Sequence, residues 1–212
     1  MAGLTGLLLV VDVQNDFCRG GALAIPSGDE VVPVANRIAD KFSHVALTQD
    51  WHPSGHLSFA SSHTGKKPFD SLELPYGRQT LWPDHCVQGS RGADFHKDLR
   101  TTSAEFILRK GYDKNIDSYS AFFENDRRTP TGLAGYLRER SIKTVHICGL
   151  ATDYCVFYSA MDAMRLGFAA HVVEDACRGI NLADSVELAM REMALAGVVF
   201  TDSEKLLAGV GA

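Results

Sequence analysis

Strand-like and helix-like segments alternate along this 212-residue sequence, and this alternation restricts the fold more than any other feature. Strands are predicted at 7–13, 44–48, 106–109, 144–148, 169–173 and 197–200, and helices at 31–42, 132–140, 155–166 and 183–196. The first strand is continuously apolar, which is typical of a strand buried on both faces of a parallel sheet. Because right-handed crossovers place helices on both faces of such a sheet, we predict a doubly wound, six-stranded, mostly parallel α/β fold.

The segment from about 51 to 103 interrupts the alternation. It shows little periodicity, but it contains five of the eight histidines, both tryptophans and four of the seven prolines. A loop of this length inside a compact domain is uncommon and is usually functional. We therefore predict a single domain over 1–212, with a long insertion at about 51–103 that carries candidate metal ligands.

Composition and charge exclude several classes of protein. Hydrophobic residues make up 45% of the sequence and charged residues 22%, as in a globular domain, and the formal net charge is −5. This charge provides no basic surface for nucleic acid or for an anionic membrane. The longest apolar run, at 7–11, is too short to span a bilayer and lacks the flanks of a signal peptide, so neither is expected. Five scattered cysteines without a CxxC pair indicate reduced thiols and a cytoplasmic protein.

Three residues with reactive side chains lie where predicted strands end: Asp12, Lys110 and Cys155. The carboxyl ends of parallel strands form the ligand-binding edge of an open sheet, so these side chains should converge. A helix capped by Thr152 or Asp153 would place Cys155 in its first turn, where the helix dipole stabilises a thiolate. Asp12 could then accept the thiol proton while Lys110 keeps both groups ionised, an arrangement suited to nucleophilic acyl transfer.

A second group of candidate residues follows the second strand. Asp50 and His52 are two residues apart, so in extended backbone their side chains face the same side and can share one metal ion. His85 could complete a set of two histidines and one carboxylate, which leaves coordination positions open for water and substrate. His56 is a further candidate ligand. The alternative is a surface turn with unrelated histidines, and the residue types do not distinguish zinc from manganese or iron.

Six motifs, taken in order, resemble those of the nicotinamidases in the isochorismatase-like cysteine hydrolase superfamily. They are VDVQNDF at 11–17, LTQDWHP at 47–53, LWPDHCVQG at 81–89, RKG at 109–111, DSYSAF at 117–122 and GLATDYCV at 149–156. The resemblance extends from residue 7 to about residue 200. It implies hydrolysis of nicotinamide to nicotinate and ammonia through a cysteine thioester in NAD salvage, with pyrazinamide as a second substrate.

The resemblance also implies roles for individual residues. Asp12, Lys110 and Cys155 match the catalytic triad of the family. The bond between Leu150 and Ala151 matches one that is cis in relatives, and the N–H groups of Ala151 and Cys155 match an oxyanion hole.

The metal site and the substrate pocket can be assigned by the same resemblance. Asp50, His52 and His85 match ligands of one divalent metal ion, with Zn²⁺ expected first and Mn²⁺ or Fe²⁺ as alternatives. Positions that line the pyridine pocket in the family are matched by Phe17, Trp82, Tyr119 and Ala151. Relatives differ in whether a further ligand lies near His56, so that residue is an additional ligand or a neighbour of the site. The expected partner is the small-molecule substrate, with a homodimer left open.

Three other interpretations are compatible with parts of the sequence. Another small-amide hydrolase of the same superfamily is one, although such relatives generally lack the DWH signature. A non-catalytic protein that binds a metal or ligand is the second, and the complete set of Asp12, Lys110 and Cys155 argues against it. A redox role for Cys155 is the third, but no resolving cysteine is evident.

Overall fold

The computed structural model describes residues 4–208 and has a six-stranded parallel sheet at its centre. The strands are β1 (Leu4–Val11), β2 (Phe42–Asp50), β3 (Ser71–Leu74), β4 (Gly77–Thr80), β5 (Phe106–Lys110), β6 (Thr144–Leu150), β7 (Ala169–Arg178) and β8 (Val199–Thr201). The helices are α1 (Val31–Ala39), α2 (Leu133–Glu139), α3 (Phe157–Arg165), α4 (Ser185–Leu195) and α5 (Ser203–Ala208). The predicted fold class is confirmed. Residues 1–3 and 209–212 of the predicted domain lie outside the described residues.

The strand order explains where a ligand can bind. The sheet runs β5-β2-β1-β6-β7-β8, so the chain builds outward from β1 in one direction and then restarts at β6 on its other side. The reversal lies between β1 and β6, and in open α/β sheets such a reversal opens a crevice at the carboxyl ends of the strands. Leu7, Leu8, Leu9 and Val11 of β1 are fully buried, as expected for a strand covered on both faces.

Two pairs of helices cover the sheet. Helix α1 packs against α5 and β7, while α3 packs against α4 and β7. The right-handed crossovers from β1 to β2 and from β6 to β7 run in opposite directions along the sheet, so α1 and α3 lie on opposite faces. The apolar positions of α1 recur at helical spacing and are buried, including Val31, Ala35 and Ile38. The prediction that this helix extends to Phe42 is wrong, because Phe42 begins β2 and is buried there. Within residues 4–208, no helix has the length and apolar character needed to cross a membrane.

The connection from β6 to α3 differs from the prediction. Residues Thr152–Val156 form a π-helical turn, α3 begins only at Phe157, and no side-chain cap is formed. The predicted capping role of Asp153 is wrong because its carboxylate is engaged elsewhere. It accepts hydrogen bonds from the backbone N–H groups of Ile180 and Asn181 and from the hydroxyl of Ser185.

The segment at 51–103 contains structure that the sequence pattern did not predict. Strands β3 and β4 form a separate antiparallel hairpin, and two short 3₁₀ turns, at Ala60–Ser62 and Thr101–Ser103, lie on either side of it. The rest has irregular backbone, with isolated bridges that pair His52 with Val87 and Phe59 with Trp82. Helix α5 was also missed, since its six residues are too few for a periodic signal.

Gly149 provides a test of the close approach between β1 and β6. Its φ is +114°, and a Cβ there would lie 2.1 Å from the carbonyl oxygen of Val11. We expect Gly149→Ala to lower the free energy of unfolding by about 2–4 kcal/mol, because it adds both overpacking and backbone strain.

Gly135→Ala is the control for this prediction, since its new Cβ meets nothing within 4 Å inside helix α2. That control should raise the stability by about 0.5–1 kcal/mol. Urea unfolding of both variants measures the difference, and similar effects at the two glycines would contradict the close approach.

Candidate active site

Asp12 lies directly after β1, at the crevice between β1 and β6. Its position is held by Thr48 of β2. The backbone N–H of Asp12 donates to Thr48 Oγ1 at 3.1 Å, and the Thr48 hydroxyl donates to Asp12 Oδ1 at 2.6 Å. The second carboxylate oxygen, Oδ2, faces Lys110 at 2.9 Å.

Lys110 is the last residue of β5, at the edge of the sheet, and its side chain is fully buried. Its Nζ lies 2.9 Å from Asp12 Oδ2, 3.0 Å from Asp50 Oδ1, 2.8 Å from the carbonyl oxygen of Ser118 and 3.4 Å from Cys155 Sγ. The structure thus brings together the three residues predicted at strand ends. It also joins them to Asp50, the first predicted metal ligand.

Burial shifts the pKa values of this cluster. Although burial lowers the pKa of Lys110, the charges of Asp12 and Asp50 outweigh it and hold that pKa well above its usual value. Burial raises the pKa of Asp12, with Lys110 opposing the increase. Burial also raises the pKa of Cys155 well above that of an ordinary thiol, and Lys110 offsets only part of this increase. The direction of this last shift favours the thiol of Cys155 over the thiolate that the sequence analysis expected.

Asp50, His52 and His85 form a compact group whose ligand atoms lie within 4.8 Å of one another. The Nε2 atoms of His52 and His85 are 3.1 and 3.5 Å from the same oxygen of Asp50, Oδ2. Ligands about 2.0–2.1 Å from one zinc ion would be roughly 3.3 Å apart. Each Nδ1 is bound to a carbonyl oxygen, that of Gly111 at 2.9 Å and that of Pro83 at 2.8 Å. This arrangement directs both Nε2 lone pairs toward the group, so the three residues fit a divalent metal ion.

His56 is buried beside this group, with its ring centroid 4.3 Å from that of His52. Both of its ring nitrogens have protein partners. Nδ1 accepts from the backbone N–H of Ser58 at 3.2 Å, and Nε2 lies 2.8 Å from the carbonyl oxygen of Asp113 and 3.3 Å from that of Ile116. This geometry favours His56 as a neighbour of the metal group over a direct ligand, and its role stays a prediction.

A small cavity opens onto Cys155, Asp50 and His85. All four predicted pocket residues line it: Phe17, Trp82, Tyr119 and Ala151. The peptide bond between Leu150 and Ala151 is cis. The lining also contains Tyr154, to which the sequence analysis assigned no role, and three residues that it missed: Leu23, Asp117 and Ile180. Asp117 lies inside a quoted motif and could have been considered, whereas Leu23 and Ile180 carry no signal in the sequence.

Comparison with known proteins identifies relatives along almost the whole chain. The profile of the isochorismatase domain matches residues 6–205. The nicotinamidase of Acinetobacter baylyi is 51% identical, covering 94% of this chain and 94% of the relative. The nicotinamidase of Escherichia coli is 48% identical, covering 90% of this chain and 91% of the relative.

Solved structures agree with these relatives. The nicotinamidase pyrazinamidase of Acinetobacter baumanii superposes with a TM-score of 0.93 at 52% identity, covering 94% of this chain and 97% of that one. An L. infantum protein solved with nicotinate superposes with a TM-score of 0.82 at 37% identity, covering 94% of this chain and 93% of that one. The Pyrococcus horikoshii pyrazinamidase, solved with zinc, superposes with a TM-score of 0.75 at 36% identity, covering 92% of this chain and 98% of that one.

The contact between Lys110 and Cys155 leads to a prediction about thiol reactivity. Lys110→Met removes the cation that lowers the pKa of Cys155, so that pKa should rise by roughly one unit or more. In metal-free protein at pH 8, carboxamidomethylation of Cys155 should slow about tenfold, because only the thiolate reacts.

Arg109→Met is the matched control, since it removes a cation from the same strand. The guanidinium of Arg109 stacks on the ring of Trp51 and not on Cys155. Peptide mass spectrometry measures modification at each cysteine. The other four cysteines are buried, so their protection from modification verifies that the variants remain folded. An equal rate in wild type and Lys110→Met would contradict the electrostatic role of Lys110.

Proposed function

Since the chain belongs to the isochorismatase domain family, we propose that it hydrolyses nicotinamide to nicotinate and ammonia through a thioester on Cys155. One observation carries this proposal. The ammonium of Lys110 contacts both the thiol of Cys155 and the carboxylate of Asp50, so a nucleophile and a candidate metal group face one small cavity. The relatives that are nicotinamidases support the choice of substrate.

In the acylation half of the reaction, the sulfur of Cys155 attacks the carboxamide carbon as its proton passes to Asp12. The raised pKa of the thiol means that this proton leaves during attack and not before it. The developing oxyanion is held by the backbone N–H groups of Ala151 and Cys155. Asp12 then returns the proton to the amide nitrogen, the C–N bond breaks, and ammonia leaves a thioester behind.

Deacylation reverses these roles. A water molecule gives a proton to Asp12 and attacks the thioester carbon, the C–S bond breaks, and the proton returns to the sulfur of Cys155. The products are the original thiol and nicotinic acid, which releases its proton to solvent and leaves as nicotinate. Lys110 keeps Asp12 anionic between the two half-reactions, since an ammonium at 2.9 Å favours the charged carboxylate.

Asp50, His52 and His85 would hold one divalent cation, with zinc expected first and manganese or iron as alternatives. When bound, such a cation supplies a coordination position that a pyridine ring nitrogen can occupy. The zinc in the P. horikoshii pyrazinamidase structure supports this choice. The aromatic walls of the cavity complete the pocket. The indole N–H of Trp82 donates to the hydroxyl of Tyr119 at 3.1 Å, and Phe17 lies edge-on to His85.

Further proposals concern an alternative enzyme class, a second substrate, the location of the protein and its oligomeric state. A metal-free small-amide hydrolase would leave the group of two histidines and one carboxylate unexplained. Pyrazinamide is a proposed second substrate because its ring also carries a nitrogen meta to the carboxamide-bearing carbon. A cytoplasmic location, supported by five unpaired cysteines, and a homodimeric state are further proposals.

The nucleophile and base can be tested by ammonia release from nicotinamide. Cys155→Ala should lose essentially all turnover, and Asp12→Asn should lose about a hundredfold or more. Cys148→Ala is the control, since this buried thiol lies within β6 away from the cavity lining. Retained turnover in Cys155→Ala would exclude the thioester.

Substrate selectivity tests the proposed metal group. Nicotinamide and pyrazinamide should both be hydrolysed by metal-loaded protein. Benzamide lacks the ring nitrogen and isonicotinamide misplaces it, so their kcat/KM should be lower by roughly 10⁴. His52→Ala and His85→Ala should lose bound metal and this selectivity together, as measured by elemental analysis and steady-state kinetics. Equal kcat/KM for benzamide and nicotinamide would remove the metal from substrate recognition.

A further inference from the structure

Asp117 is a buried carboxylate beside the metal group that has no role in the mechanism above. Its side chain is 2% exposed and lines the same cavity as Cys155 and His85. Oδ1 lies 3.9 Å from Nε2 of His52, and an oxygen of Asp117 lies within 4.8 Å of the ligand atoms of His52 and His56.

Hydrogen bonds fix the carboxyl group of Asp117 in position. Oδ1 accepts from the backbone N–H of Ser118 at 2.9 Å, and Oδ2 accepts from Nε2 of Gln79 at 2.6 Å. With both oxygens accepting, the orientation of the group is set from two sides. Gln79 belongs to the β3–β4 hairpin and is itself buried, which ties the position of Asp117 to that hairpin.

Asp117 lies near the metal group but not near the buried ammonium. Four acidic side chains of this region are buried with Lys110: Asp12, Asp50, Asp117 and Glu124. Lys110 contacts the first two, while the nearest basic group to Asp117 among residues 4–208 is the His52 ring at 3.9 Å. A cation held by the metal group would therefore be the nearest full positive charge to Asp117.

We propose that Asp117 is a positioning residue of the metal centre. It would neutralise part of the charge of the cation held by Asp50, His52 and His85, and would accept hydrogen bonds from water that the cation retains. This inference rests on the metal group of the proposed function. His52, His56 and Asp117 also lie close enough to share a metal ion, but both ring nitrogens of His56 have protein partners. Asp117 therefore contributes from outside the ligand set and not as part of a second metal site.

The affinity for Zn²⁺ tests this role without any activity assay. Apoprotein is titrated with Zn²⁺ against a chromophoric chelator at pH 7.5. Asp117→Asn and Asp117→Ala should raise the dissociation constant about 10- to 100-fold, as for other partners that lie behind metal ligands. Glu124→Gln is the matched control: it also removes a buried acidic side chain from the same loop, but one that lies outside the metal group. Its dissociation constant should stay within about threefold of wild type.

His52→Ala separates failure of this inference from failure of the proposed function. If His52→Ala binds Zn²⁺ as tightly as wild type, the metal group itself is wrong. If His52→Ala loses Zn²⁺ while Asp117→Asn and Asp117→Ala bind normally, only the role of Asp117 is overturned. The visible spectrum of the Co²⁺ protein should have the same bands in wild type and Asp117→Asn. A spectrum of altered coordination number would contradict the position outside the ligand set.

Discussion

The ammonium of Lys110 connects every part of the candidate site. It is fully buried, and it contacts Asp12, Asp50, the carbonyl oxygen of Ser118 and the sulfur of Cys155. A charge in that position is tolerated only because two carboxylates face it, and removing one partner of a buried ion pair typically costs about 3–5 kcal/mol. The same contacts place the nucleophile next to the candidate metal group, so the stability of the site and its chemistry share one set of interactions.

The order of the strands makes these contacts achievable. Lys110 and Asp12 come from strands separated by β2, and Cys155 follows β6 on the far side of β1. Two glycines allow the necessary close approach. Gly149 lets β6 lie against β1, and Gly111, at φ +67°, leaves space for the ring of His52, which a Cβ would meet at 2.5 Å. A side chain at Gly149 would clash with the backbone of Val11, and one at Gly111 would displace the ring of His52.

Much of the site was predictable because its residues are marked locally. Asp12 and Lys110 stand out as charges at the ends of apolar strands, and Asp50 and His52 stand out by their spacing of two. The capping prediction failed for a physical reason: the carboxylate of Asp153 is taken by N–H groups 27 and 28 residues later in the chain. A local sequence pattern cannot show that hydrogen-bond donors from a distant segment will occupy this carboxylate.

The sequence by itself determined the class of fold, the nucleophile candidate and the residue types that could bind a metal. It did so because backbone periodicity and side-chain chemistry are local properties. Only the tertiary structure decided the direction in which the pKa of Cys155 shifts, because burial outweighs the nearby cation and raises it. Only the tertiary structure brought Asp117 to within 3.9 Å of His52, which is 65 residues away in the chain. Burial and contacts between distant segments arise from the packing of the whole chain, so no single stretch of sequence can specify them.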